Sequence, residues 1–180
     1  MAKQLIENQL QELFEIQKIF NEEEFRVRKI NIDDVITNLI FNFVKWSDTL
    51  ELTKSWKEER GKSSDVQLDA LAEYLATNLQ LVLMFLEDDK EGLETVVQTL
   101  VDLVEKEQTL PELRSGSFGH VLHTITEQFF SEEGILPLIA LPFLYAYSYY
   151  TIEDLITAYK KKMRVKLIKL NKGLEPLESE

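Results

Sequence analysis

At 180 residues, with 44% hydrophobic and 29% charged side chains, the chain has the length and composition of one globular domain and not of a disordered segment. A net charge of −12 excludes general nucleic-acid binding, because such a surface repels polyanions at long range. The absence of cysteine excludes a disulfide framework, thiolate metal sites and a cysteine nucleophile, and it fits a reducing compartment.

The first eight residues hold no apolar core of signal-peptide length, which predicts a cytoplasmic protein. Leu5, Leu10, Leu13, Phe14, Ile16 and Phe20 recur at spacings that place them on one face of a first helix. Asn31 or Asp33 can cap a second helix that turns Val35, Ile36, Leu39, Ile40, Phe43 and Val44 inward. Residues 57–64 read as a loop. Ser64 or Asp65 can then cap a third helix through Leu68, Leu71, Leu75, Leu79, Val82 and Phe85, and residues 91–105 form a fourth with Leu93, Val96, Val97, Leu100, Val101 and Val104 inward.

Residues 109–119, with Pro111, Gly116 and Gly119, read as the longest loop, and a fifth helix is expected over 121–130. Residues 135–150 are apolar nearly throughout. With Pro137 and Pro142 inside, the stretch is too short and too interrupted for a membrane span, so it reads as a buried or subunit-contacting helix. Thr151 caps a last helix whose first turn carries Glu153 and Asp154. This helix then turns basic, with Lys160, Lys161, Lys162, Arg164, Lys166, Lys169 and Lys172 in about four turns, and 171–173 (Asn-Lys-Gly) reads as its stop. The run is either a solvated helix end or a phosphate-facing strip. No run alternates as a strand does. The expected fold is all-α, a single domain over 1–180 built as a bundle of about six to seven helices.

Few side chains suggest chemistry. Asp65, Asp69 and Glu73 lie at i, i+4 and i+8 and stripe one helix face, read as solvated surface in preference to a metal site. His120 and His123, at i and i+3 without cysteine or paired carboxylates, read as hydrogen-bonding groups at a helix start. The aromatic run of Phe143, Tyr145, Tyr147, Tyr149 and Tyr150 reads as core or interface before base-stacking. No nucleophile elbow, Walker loop or dinucleotide fingerprint occurs.

Three stretches, in order, carry a family resemblance: Leu-Gln-Glu-Leu-Phe-Glu-Ile-Gln-Lys over 10–18, Phe-Val-Lys-Trp-Ser over 43–47, and the basic helix from Tyr150 to Gly173. They resemble the opening helix, the close of the second helix and the final helix of the dimeric, all-α dUTPases of bacteria and their phages, a branch of the MazG-like nucleotide pyrophosphatases. The resemblance implies a homodimer and Mg²⁺-dependent cleavage of a nucleoside triphosphate, with carboxylate pairs on two neighbouring helices holding the ions. The acids available for that role are Asp33, Asp34, Asp69 and Glu73. Lys45, Lys162, Lys166 and Lys169 are the candidate phosphate contacts, and Trp46 is the candidate for stacking on the base.

The departures are specific. Val35, Ile36, Asn38 or Leu39 stands where the family places inner acids, and Ala76 where it places an Asp three residues after Glu73. Met163 and Lys166 stand at its two Asn positions, Lys169 at its Arg and Leu174 where it often has Tyr. These losses imply a catalytically degraded homologue that binds a nucleotide such as dUTP or dUMP, or a protein partner. The alternative is an active Mg²⁺-dependent diphosphatase using displaced carboxylates. A helical regulatory protein without a nucleotide ligand is a third reading.

Overall fold

The computed structural model describes residues 5–107, 110–128 and 135–172. Among them are seven helices and no strand: α1 (Glu7–Val27), α2 (Ile32–Thr49), α3 (Ser64–Leu86), α4 (Lys90–Glu107), α5 (Ser115–Gln128), α6 (Ile135–Tyr149) and α7 (Ile152–Lys172). The fold is all-α, as periodicity implies. The expected stop at Gly173, the Tyr-position residue Leu174 and the expected end of the fifth helix at 129–130 lie outside the described residues.

Side-chain caps set two helix starts. Asn31 Oδ1 accepts from the Asp34 N–H at 2.9 Å while Asp34 Oδ2 accepts from the Asn31 N–H at 3.3 Å, a reciprocal box that begins α2. Thr151 and Asp154 repeat it at α7, at 3.0 and 3.2 Å. The third helix starts without one: Ser63 is its N-cap, with no side-chain cap bond. Its far end turns through Glu87 and Asp88, both at positive φ (45° and 71°), straight into α4.

α3 is the axis of the bundle. It packs on α1, α2, α4, α6 and α7, so Leu71, Ala72, Tyr74, Leu75, Ala76, Leu79, Leu81 and Val82 are all buried around its circumference. α2 and α3 run antiparallel: the Lys62 N–H reaches back to the Thr49 carbonyl at 2.8 Å, and Asn42 Nδ2 donates to Thr77 Oγ1 at 2.7 Å midway along both. On α2 the buried positions are Val35, Leu39, Asn42, Phe43, Trp46, Ser47 and Thr49, while Val44 faces outward.

α6 is buried within its own chain. Leu138, Ile139, Ala140, Phe143, Leu144, Tyr145 and Ala146 enter the core, with Pro142 inside the helix. Its rings join Phe43, Trp46, Tyr74 and Phe118 in one aromatic cluster, with Trp46 and Tyr145 centroids 4.5 Å apart. Burial pushes the Tyr150 hydroxyl up to about 12.

The segment before α5 corrects the expected long loop. Residues 110–114 run as a strap along α6, where Leu113 N–H donates to Tyr149 Oη at 2.8 Å and Leu110 N–H to Ser148 Oγ at 3.1 Å. α5 then begins at Ser115, six residues early, with Gly116 and Gly119 inside it. Phe118, stacked on Phe43 at 6.0 Å and 2°, is the anchor that offsets their poor helix propensity. Among the described residues no helix is long and apolar enough to cross a membrane.

Candidate functional site

The principal cleft, about 460 Å³, opens between α1, α2, α3 and α7. Each helix supplies one polar stripe. α1 gives Gln17 and Glu24, with Arg28 as its C-cap; α2 gives Asn38, Asn42 and Lys45; α3 gives Asp69, Glu73, Thr77 and Gln80; α7 gives Lys162 and Lys166. α7 reaches the cleft on the side it turns to the bundle: Lys162 and Lys166 follow the buried Leu155 and Tyr159 by seven residues each, and so share their face.

The centre of the site is Glu73. Its carboxylate takes the Lys166 ammonium on one oxygen and the Lys162 ammonium, at 3.2 Å, on the other. Lys162 also reaches Asp69 Oδ2 at 2.9 Å. Burial opposes ionisation of Glu73, but the Lys166 and Lys162 ammonium groups outweigh it and hold its pKa below the ordinary value. Lys166 lies over the Phe20 ring, 5.6 Å from its centroid, which fixes the ammonium from a second side.

The remaining polar groups interlock. Thr77, which receives the Asn42 amide, donates its hydroxyl to the Glu73 carbonyl at 3.0 Å. Gln80 Nε2 donates to Glu24 Oε2 at 3.0 Å, and Arg28 stands 3.6 Å from the other Glu24 oxygen. Lys45 has no ion pair among the described residues. Next to this cleft lies a smaller compartment of about 340 Å³, sharing Phe20, Glu24, Arg28 and Lys166 with it and adding Val27, Lys169 and Leu170. The two compartments share these four residues and are together termed the trough.

The fold therefore brings together Lys45, Lys162, Lys166, Asp69 and Glu73, with Lys169 in the adjoining compartment. The acidic stripe splits: Asp65 is exposed and Asp69 stands at the rim with its side chain 68% exposed, but Glu73, at 27%, turns into the cleft instead of solvent.

Asp33 and Asp34 do not join them. They head α2, Asp34 being eight residues before Asn42, whereas Glu73 lies four residues before Thr77 on an antiparallel helix. At 1.5 Å per residue this separates Asp34 from Glu73 by about 18 Å along the bundle. Asp34 is instead engaged in the α2 cap. Among the described residues no group of three or more His, Asp or Glu side chains is placed to hold a metal ion.

Trp46 is also corrected. Its indole is fully buried against Tyr145 and Tyr149, with Nε1 donating to Tyr150 Oη at 3.4 Å, so its faces are not open to a base. His120 and His123 are exposed on α5, past its start, where His123 Nε2 is 3.6 Å from Glu127.

Sequence reasoning passed over Gln17 and Glu24 of α1, its C-cap Arg28, and the polar trio Asn42, Thr77 and Gln80. The signal was there: Gln17, Asn42, Thr77 and Asn78 sit at core-facing positions of otherwise apolar faces, where a polar side chain needs a partner or a ligand. No protein-family model matches the chain, and no curated protein matches it.

Proposed function

We propose that the trough binds a nucleotide through its phosphates without a metal ion and without cleaving it, on a scaffold diverged from the dimeric all-α dUTPases that the chain resembles. The observation that carries this reading is the pairing of Asp69 and Glu73 with Lys162 and Lys166. A Mg²⁺ ion needs several oxygen ligands, and the two carboxylates, Glu73 in the cleft and Asp69 at its rim, already face resident ammonium groups. Three of the positions that depart from the family pattern, Asn38, Ala76 and Lys166, line this one cleft. Five cations (Arg28, Lys45, Lys162, Lys166, Lys169) face three carboxylates (Glu24, Asp69, Glu73) along the trough, a positive balance on a chain of net charge −12.

Calorimetric titration with dUTP, dUMP and a non-hydrolysable dUTP analogue tests the proposal, each in Mg²⁺ and in EDTA. The expected result is binding of all three that differs less than about threefold between the two buffers, with no release of pyrophosphate. Mg²⁺-dependent pyrophosphate release would establish the alternative, an active diphosphatase with relocated acids. No binding in either buffer would remove the nucleotide from the reading and leave a protein partner as the object of search.

The resemblance also makes the chain a homodimer in this reading. Light scattering at micromolar concentration is expected to give twice the subunit mass. A subunit mass there contradicts the dimer without touching the cleft.

A further inference from the structure

We infer that the outward face shared by α1 and α7 is the interface between two copies of this chain, related by a two-fold axis running along these helices. This rests on the homodimer reading above and adds to it the surface that makes the dimer.

α1 and α7 lie side by side and run in the same direction. Lys160 Nζ meets Glu12 at 2.7 Å, Tyr159 Oη donates to the Leu13 carbonyl at 3.2 Å, and Lys166 lies over the Phe20 ring. These pairs are offset by 146 to 148 positions, which fixes the register of one helix on the other. Between them lies a groove of about 440 Å³ over Ile16, Met163 and Leu167. Beside it Ile19 of α1 and Val165 and Ile168 of α7 are all exposed. Aliphatic side chains gathered around one groove at the surface mark a place of association.

The charges of this face are divided between the two helices. α1 brings Glu15, while α7 brings Lys161 and Arg164. All three are exposed and none has an ion pair among the described residues. A face acidic on one helix and basic on the other is complementary to itself. An axis along the helices sets α1 of each copy over α7 of the other, whereas an axis across them sets like charge against like.

The register then decides which residues meet, because rotation about an axis along the helices leaves height unchanged. With an offset of about 147, position 15 of α1 falls level with position 162 of α7, and position 19 with position 166. Glu15 therefore stands opposite the turn that carries the partner's Lys161 and the partner's Arg164. Ile19 stands opposite the turn that carries the partner's Val165 and the partner's Ile168. Opposite charges meet and aliphatic groups meet, each twice in one dimer.

Light scattering from about 0.1 to 50 micromolar subunit measures the dimer dissociation constant of the parent chain, Ile168→Glu, Arg164→Glu, Glu15→Arg and the double exchange of Glu15→Arg with Arg164→Glu. The substituted positions are exposed, so urea midpoints should match the parent chain and exclude misfolding. Ile168→Glu is expected to raise the constant by about tenfold or more. Each single charge reversal is expected to raise it by about fivefold, an effect that shrinks in high salt. The double exchange should dimerise about threefold or more tightly than either single reversal, because position 15 again faces its opposite at 164. If the parent chain dimerises and Ile168→Glu and Arg164→Glu leave its constant unchanged, the interface lies elsewhere, and the inference fails while the homodimer stands. A double exchange no tighter than the single reversals would overturn the pairing of α1 with α7. If the parent chain scatters as a single subunit throughout, both readings fall together.

Discussion

Trp46→Ala is expected to destabilise the protein by about 3–5 kcal/mol, the range for deleting a large buried aromatic ring from a packed core. The indole has no exposed surface and touches Phe43, Tyr145 and Tyr149, so its removal opens a cavity bordered by rigid rings that cannot collapse into it. It also deprives Tyr150 Oη of its donor. Urea denaturation should show a lower midpoint at nearly unchanged slope. The chain has two tryptophans, and Trp56 is 77% exposed, so the variant's remaining emission should be that of a solvated indole even in the folded state. A loss below about 1 kcal/mol would mean that the ring does not sit in the core. The milder Trp46→Phe bears on ligand binding. With the indole buried, dUTP affinity should not change, and a tenfold loss would restore the base-stacking role that the sequence suggested.

The same residue shows what a linear reading can and cannot reach. Aromatic-Lys-Trp-Ser near the end of a helix is visible as a motif, and so are the helix itself and its Asn31 cap, because period and capping are local properties. Which way Trp46 points depends on α6, a hundred residues later. Gly116 and Gly119 misled for a related reason. Intrinsic propensity marks them as breakers, yet a side chain at either would meet nothing within 4 Å, and α5 is held by Phe118 and Ile125 against the core. The acidic stripe of α3 was legible as a stripe. Whether it faced water or a cleft was decided by lysines 93 positions further along the chain, and no local pattern encodes that pairing. The dispersal of Asp33 and Asp34 from Glu73 likewise follows from the antiparallel register of α2 and α3, fixed by Asn42 and Thr77.

Lys166→Gln should act mainly through Glu73, and its signature is in the pH dependence. The two side chains are 32% and 27% exposed, between the surface and buried limits for ion pairs, so a loss of about 1–3 kcal/mol is expected at pH 7. In the parent chain Glu73 is held below its ordinary value of 4.5, so between the folded pKa and 4.5 the unfolded chain binds more protons than the folded one. Stability from this group is therefore complete above about pH 4.5 and is lost as the pH falls through the folded pKa. Removing Lys166 leaves the burial that raises the pKa while deleting one of the two ammonium groups that lower it, so Glu73 in the variant titrates higher. The gap between parent and variant should be widest near neutrality and should narrow as Glu73 takes up its proton, which urea titrations at pH 7 and in the acid limb can measure. In a Glu73→Gln background, Lys166→Gln should cost much less, a coupling that a double-mutant cycle reads directly. A gap that did not change with pH, together with additive single effects, would mean that Lys166 does not neutralise Glu73. The carboxylate would then stand open to a cation, and the metal-free character assigned to the trough would lose its physical basis.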